Sequence, residues 1–287
     1  MKLVRYGPAG SEKPGLIDGS GALRDLSRLT DDIHGASLAP DSLARLAALD
    51  TTTLPLVSGE PRLGVPVGNI GKIVGVGLNY ADHAIESGMA IPDEPILFAK
   101  QTTALNGPHD PVMIPKGAVS VDWEAELAVV IGSLARYVAE DDALSHVAGY
   151  CVANDVSERD YQLRRGGDWQ KGKSCDSFAP LGPWLVTADA VGDPQDLRVW
   201  LDLNGESMQD GTTGQMIFSV AHLISYISGF MTLMPGDVII TGTPPGVGAG
   251  RRPPRFLVAG DVVTLGVEGL GEQRQEVIAY SNSHPSD

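Results

Sequence analysis

Two glutamates and one aspartate are the acidic side chains best suited to hold a metal ion. Glu124 and Glu126 lie in the segment 121–132 (VDWEAELAVVIG). A strand there would point both carboxylates to one face, because side chains alternate with a period of two. Asp155 closes another apolar run and is expected near a strand end.

Both faces of the 121–132 segment are apolar enough to be buried. Two adjacent buried carboxylates repel each other and lose their hydration, so their charge must be compensated. Carboxylates without cysteine and with little histidine suit a hard divalent ion such as Mg²⁺ or Mn²⁺. The alternative is that Glu124 and Glu126 face solvent on an edge strand.

A histidine and a glutamate three residues apart form a second candidate group. His83 and Glu86 follow the apolar run 72–80, and one helical turn would place them on the same side. The carboxylate could then orient the imidazole as a general base. The alternative is an exposed pair on a helix surface. The next residues, 88–92 (GMAIP), are both flexible and apolar, as in a closing lid.

A basic cluster follows Asp155 in this otherwise acidic chain. It covers residues 159–173 (RDYQLRRGGDWQKGK) and would attract an anionic substrate. For Arg164 and Arg165 a solvated surface loop is the preferred explanation. The glycine-rich segment 241–250 (TGTPPGVGAG) lacks the P-loop and dinucleotide-binding patterns, although its backbone amides could hold a carboxylate.

Composition limits the class of protein. The chain has 287 residues, 43% of them hydrophobic, enough for one large domain or one with a small appendage. A net charge of −15 excludes broad contact with nucleic acids or anionic membranes. The two cysteines form no CxxC pattern, and no signal peptide is visible at 1–16, so a reducing cytoplasm is expected. The uncharged stretch 211–236 contains many polar residues and is interpreted as a buried helix.

Strands are expected to position these groups. A small N-terminal unit (1–65) should contain strands at 2–6 and 15–17 and helical patterns around Leu26 and over 43–49. The remainder, 66–287, carries strand-length apolar runs, a hairpin turn at Asn204–Gly205 and one amphipathic helix over 219–230. The runs lie at 72–80, 96–99, 112–114, 121–132, 146–153, 197–203, 238–241 and 262–267.

Five motifs, in this order along the chain, resemble the fumarylacetoacetate hydrolase family. They are NYADHAIESG (79–88), the Glu-x-Glu pair at 124 and 126, NDVSERDYQ (154–162), GKSCDSFAPLGPW (172–184) and ITGTPPGVG (240–248). The resemblance covers about 71–267 and implies a β-rich α+β fold. That fold is a mixed β-sheet roll of the family's C-terminal type, preceded by a small N-terminal α/β domain. It also implies a homodimer.

The resemblance further implies roles for individual residues. Glu124, Glu126 and Asp155 would ligate Mg²⁺, with Mn²⁺ or Ca²⁺ as alternatives. Lys173 would stabilise a developing enolate, with Lys171 ranked second, and the pair His83 and Glu86 would activate water. The residues expected to contact the substrate's carboxylate or oxygens are Arg159, Gln162 and Thr243.

The implied reaction is metal-dependent hydrolysis of a C–C bond in a 2,4-dioxo acid, which yields pyruvate and a carboxylic acid. The substrate is then a small anionic 2-oxo acid such as an acylpyruvate, fumarylpyruvate or a 2,4-dioxo-3-deoxy sugar acid. The alternatives are isomerisation of 2-hydroxydiene dioates (2-hydroxyhepta-2,4-diene-1,7-dioate isomerase type) and decarboxylation of oxaloacetate. A binding module with structural Ca²⁺ has no need of Lys173 or the His83–Glu86 pair. A zinc hydrolase is disfavoured by histidine spacing.

Overall fold

The fold is built on one large mixed β-sheet in the computed structural model, which describes residues 1–86 and 88–281. The strands are β1 (Lys2–Tyr6), β2 (Lys13–Ile17), β3 (Leu23–Asp25), β4 (Ile73–Gly77), β5 (Ile96–Lys100), β6 (Leu105–Asn106), β7 (Val112–Met113), β8 (Val121–Asp122), β9 (Ala125–Ile131), β10 (Val147–Asn154), β11 (Ser157–Glu158), β12 (Ala179–Thr187), β13 (Arg198–Leu203), β14 (Glu206–Thr212), β15 (Val238–Ile240), β16 (Val262–Val267) and β17 (Gly271–Ile278). The α-helices are α1 (Pro40–Ala47), α2 (Ala81–Glu86), α3 (Arg159–Arg164), α4 (Gln170–Lys173) and α5 (Val220–Ser228).

The large sheet runs in the order β3-β2-β1-β12-β10-β9-β15-β4-β5. A second sheet, β14-β13-β16-β17-β7, packs against its centre through contacts of β13, β16 and β17 with β9, β10 and β12. Every residue of β9 and β10 is buried. Burial on both faces explains why these strands read as continuous apolar runs. The predicted β-rich mixed-sheet fold is confirmed.

The N-terminal strands extend the large sheet. β1 pairs antiparallel with β12, and β2 and β3 continue outward from β1. The domain boundary near residue 65 stays a prediction. The helical pattern expected around Leu26 is wrong, because β3 and turns occupy this region, and the buried Leu26 follows the strand directly.

Two long strands of the structure, β12 and β17, were not predicted from the sequence, because neither shows the usual apolar pattern. β12 contains Pro180, Gly182 and Pro183, which ordinarily argue against a central strand. β17 alternates charged exposed residues with buried glutamines instead of apolar residues. Gln273 and Gln275 are satisfied there by donating to the backbone oxygens of Val152 (2.8 Å) and Pro108 (2.6 Å).

The expected hairpin and amphipathic helix are present. Asn204 and Gly205 both have positive φ (55° and 81°) and connect β13 to β14, as a type I′ turn requires. α5 is capped by the Ser219 hydroxyl, which accepts from the His222 amide at 3.1 Å, and it buries Leu223, Ile224 and Ile227. Among the described residues, no helix combines the length and apolar character needed to cross a membrane.

Candidate active site

Sheet topology brings the three predicted metal ligands together. β9 runs antiparallel to β10, and Glu126 pairs in register with Ala153. The start of β9 therefore lies beside the end of β10, which Asp155 follows. The strand expected over 121–132 is interrupted, since β8 ends at Asp122 and β9 begins at Ala125. Glu124 lies in this break, and its carbonyl oxygen accepts from the Asp155 amide at 2.9 Å.

The carboxylates of Glu124, Glu126 and Asp155 form a buried cluster that could hold a metal ion. One oxygen from each lies within 4.8 Å of the others. The Lys173 ammonium donates to Glu124 (2.8 Å) and to Asp155 (2.6 Å). The Arg159 guanidinium pairs with the other oxygen of Glu124 at 2.7 Å. The edge-strand alternative is therefore wrong, since these glutamates lie in the protein interior.

Burial and charge shift the pKa values of Glu124 and Glu126 in opposite directions. Burial alone would raise the pKa of Glu124, but the cations of Lys173 and Arg159 lower it below its usual range. Burial and the neighbouring charges of Asp155 and Glu124 raise the pKa of Glu126 well above its usual range. Lys173 has a raised pKa, because the attraction of Asp155 and Glu124 exceeds the effect of its burial.

The chemistry of these residues fits a hard divalent cation. All three donors are carboxylate oxygens, which Mg²⁺, Mn²⁺ and Ca²⁺ prefer. Glu126 has only one hydrogen-bond donor within the described chain, the Gly242 amide at 2.7 Å. The Tyr80 hydroxyl is fully buried and has no hydrogen-bond partner within the described chain. Burial raises the pKa of Tyr80, and the nearby Glu126 carboxylate raises it further. A bound ion and its waters would satisfy such groups.

The predicted His83–Glu86 pair lies on α2, directly after β4. The His83 Nδ1 and Glu86 Oε2 atoms are 3.0 Å apart, and His83 is buried. Glu86 is held in turn by the Gly246 amide, which donates to both of its oxygens (3.0 and 3.1 Å). The alternative of an exposed helix-surface pair is therefore wrong. The segment 88–92, expected to act as a lid, forms no helix or strand, and its movement stays a prediction.

A cavity of about 250 Å³ connects the two groups. Its apolar wall includes Phe98 and Trp169, whose ring centroids are 5.7 Å apart. The rings lie against Gly75 and Gly77 of β4, where an added Cβ would stand 2.2 and 2.5 Å from ring atoms. The polar side chains that line the cavity are His83, Glu86, Glu124, Arg159, Gln162, Lys173, Thr243 and Arg252.

The residues expected to contact substrate reach the same cavity. Gln162 accepts a hydrogen bond from Arg159 at 3.1 Å through its side-chain oxygen. The Thr243 hydroxyl donates to Ala125 O and accepts from Gln209, both at 2.8 Å, so it also anchors the loop that follows β15. Lys171, the competing lysine, is exposed and donates to a backbone oxygen outside the cavity. The roles of these residues remain predictions.

Sequence reasoning missed two buried charges at this site. Lys100, the last residue of β5, donates to Asp155 and to the Val156 carbonyl. Burial lowers the pKa of Lys100 despite the nearby charge of Asp155. Asp122 accepts from Arg159 at 2.8 Å and from the Gly248 amide at 2.7 Å. Its spacing of two from Glu124 was the available signal.

Asp122 is therefore expected to be important for stability. Asp122→Asn leaves the buried Arg159 guanidinium with one carboxylate partner fewer, and removing one member of a buried ion pair destabilises a protein by about 3–5 kcal/mol. Urea denaturation monitored by circular dichroism measures this change. Asp189→Asn, the same substitution at an exposed site, should change stability by less than about 0.5 kcal/mol. Equal changes in stability for both substitutions would contradict the stabilising role of the Asp122–Arg159 ion pair.

Comparison with known proteins places this architecture among related enzymes. The model of the fumarylacetoacetate (FAA) hydrolase C-terminal domain matches residues 72–278. A Burkholderia lata protein, provisionally named a hydrolase, is 59% identical over 96% of this chain and 98% of its own length.

Two solved structures of similar proteins show the same fold and carry different activity names. Maleylpyruvate hydrolase from Sphingobium sp. SYK-6, bound to manganese(II) and pyruvate, is 30% identical with a TM-score of 0.82. The 2-hydroxyhepta-2,4-diene-1,7-dioate isomerase from Mycobacterium marinum is 32% identical with a TM-score of 0.76. Each comparison covers 98% of this chain and 100% of the other.

Proposed function

This chain belongs to the fumarylacetoacetate hydrolase family of enzymes, and we propose that it is a divalent-metal-dependent hydrolase that cleaves 2,4-dioxo acids. Water would add to the distal carbonyl carbon, and the bond between that carbon and the next would break. The products are pyruvate and a carboxylic acid. The observation that carries this proposal is the hydrogen-bonded His83–Glu86 pair, which lines the same cavity as Glu124 of the carboxylate cluster.

His83 is suited to remove a proton from water. Its Nδ1 faces the Glu86 carboxylate at 3.0 Å, which leaves Nε2 as the basic nitrogen. Glu86 stabilises the imidazolium that forms, and the Gly246 amide fixes Glu86 in place. The proton taken by His83 returns to the methylene carbon, which receives the electron pair of the broken bond. The other proton of water leaves as the new carboxylic acid ionises.

The cation of Lys173 is suited to stabilise charge that develops on the departing fragment. It is buried, its pKa is raised, and it lies between Glu124 and Asp155. Glu124, Glu126 and Asp155 would hold Mg²⁺ or Mn²⁺. When bound, this ion supplies Lewis-acid polarisation of the 2-oxo group. The manganese ion and pyruvate in the Sphingobium hydrolase support this assignment.

Isomerisation or decarboxylation of related 2-oxo acids is the second candidate, supported by the isomerase among the similar structures. These reactions use the same stabilisation of an enolate but consume no water. Their rates should therefore depend less on His83 and Glu86, because no water has to be activated.

Product analysis tests the proposed hydrolysis. The purified protein with Mg²⁺ or Mn²⁺ should convert acetylpyruvate to equal amounts of pyruvate and acetate, measured by a lactate dehydrogenase assay and by NMR. A chelator should stop the reaction, and added metal should restore it. Release of carbon dioxide from oxaloacetate, or formation of one isomeric product from a hydroxydiene dioate, without cleavage of any acylpyruvate would contradict hydrolysis.

A further inference from the structure

Three cationic side chains, Arg159, Lys173 and Arg252, line the cavity, and their electrostatic surroundings differ. Arg159 pairs with Asp122 and Glu124, and Lys173 pairs with Glu124 and Asp155. Arg252 is exposed and makes no hydrogen bond or ion pair within residues 1–86 and 88–281. In a protein with a net charge of −15, it is thus a cation available to a ligand at the cavity wall.

The loop that carries Arg252 also contacts the His83–Glu86 pair. The Gly246 amide donates to Glu86, and an added Cβ on Gly250 would stand 2.7 Å from the Glu86 carboxyl carbon. Arg252 follows two residues later and lines the same cavity. A substrate whose 2-oxo acid head lies at the carboxylate cluster would place its reacting carbonyl near His83. The rest of the substrate would then extend along the loop toward Arg252.

By area, the wall of this cavity is mostly apolar. Its apolar side chains are Val76, Leu78, Met89, Phe98, Leu163, Trp169, Val247 and Ala249. Such a wall suits a hydrocarbon or conjugated chain better than a polyhydroxylated one, because each hydroxyl would lose hydration without gaining a partner. A guanidinium that has no partner among the described residues and lines such a wall matches a terminal carboxylate, which it can bind through two hydrogen bonds.

We propose that Arg252 binds the distal carboxylate of the substrate, so that this protein selects 2-oxo dicarboxylic acids over 2-oxo acids with an uncharged tail. The inference rests on the proposed function only for the position of the 2-oxo acid head at the carboxylate cluster. Because Arg252 is exposed, its preference for a charged tail should be moderate and sensitive to salt.

A pair of ligands that differ only in the tail tests this selection. With Mn²⁺ present, calorimetry compares 2-oxoheptanedioate with 2-oxoheptanoate, neither of which has the second carbonyl needed for hydrolysis. We expect the dicarboxylate to bind wild-type protein about 5- to 20-fold more tightly, and Arg252→Gln to remove most of this difference. Arg252→Lys should give an intermediate ratio, and about 0.5 M salt should reduce the wild-type ratio.

Arg251→Gln is the matched control. Arg251 is adjacent in the chain, lies 3.8 Å from Glu206 and does not line the cavity, so its loss should leave the ratio unchanged. Equal weakening of both ligands by Arg252→Gln, an unchanged ratio, or failure of both ligands to bind wild-type protein would overturn the proposal.

Turnover separates this proposal from the proposed function. In Arg252→Gln, the KM for fumarylpyruvate should rise about 5- to 20-fold with little change in kcat, whereas acetylpyruvate kinetics should be unaffected. Wild-type protein that prefers the dicarboxylate ligand but cleaves no acylpyruvate would contradict only the hydrolase assignment. Cleavage of acetylpyruvate without an Arg252-dependent preference would contradict only the role of Arg252.

Discussion

Glu126→Gln is expected to abolish metal-dependent turnover while the protein remains folded. Glu126 is buried, and its raised pKa favours the neutral carboxyl in the metal-free protein. Glutamine has nearly the same shape as this neutral form and can still accept from the Gly242 amide. Its amide oxygen lacks the negative charge with which a carboxylate attracts a divalent cation, so metal binding should be much weaker. A metal ion typically stabilises the transition state by several kcal/mol, and losing this contribution corresponds to a fall in kcat/KM of at least about 10³-fold.

The pH dependence of stability provides an independent readout of the same substitution. A carboxyl with a raised pKa in the folded state binds more protons there than in the unfolded chain. The contribution of Glu126 to the stability of the metal-free protein therefore falls as the pH rises from its ordinary pKa toward its raised value. Glutamine removes this dependence, so the metal-free variant should be more stable than metal-free wild type near neutral pH. Thermal unfolding in the presence of a chelator measures the difference.

Glu272→Gln is the control. Glu272 is exposed on β17 and outside the cavity, so this substitution makes the same change of charge away from the site. It should retain Mn²⁺ affinity, measured by calorimetry, and turnover of acetylpyruvate. If Glu126→Gln keeps full Mn²⁺ affinity and activity, Glu126 is not a metal ligand. A failure of Glu126→Gln to fold would contradict the neutral state inferred for this carboxyl.

Local sequence patterns were sufficient to identify the groups of this site. The period of two linked Glu124 with Glu126, and the end of an apolar run placed Asp155 near them. The spacing of three placed His83 and Glu86 on one helical turn. These relations depend on neighbours in the chain, so they can be read without the tertiary structure. Their residue types also suggested a metal site and a general base, whereas the reaction came from the family resemblance.

The ion pairs that surround these groups could not be predicted in the same way. Lys100 contacts Asp155 across 55 positions, and Lys173 contacts Glu124 across 49. Such pairs depend on how the sheet brings distant segments together, which no local period encodes. The sequence also does not reveal that Arg252 lacks a partner within 1–86 and 88–281, since the neighbouring Arg251 is the same residue type and has one. Structure was needed to tell these two arginines apart.

His83→Gln is expected to lower acylpyruvate hydrolysis by about 10²- to 10⁴-fold, the contribution typical of general acid–base catalysis. Decarboxylation of oxaloacetate by the same variant should change much less, because that reaction requires no activated water. Glutamine keeps a polar side chain of similar length next to Glu86 but cannot act as a base near neutral pH. The measurement is the ratio of the two rates in wild type and variant.

His222→Gln is a closely matched control for this experiment. His222 also pairs with a glutamate, with Nδ1 3.1 Å from Glu140, but it is half exposed on α5 and outside the cavity. A selective loss of hydrolysis in His83→Gln, absent in His222→Gln, would identify His83 as the base. An equal loss of both reactions would instead mean that His83 only shapes the site. Under the proposed mechanism both reactions use the carboxylate cluster and Lys173, so their ratio would isolate the activation of water.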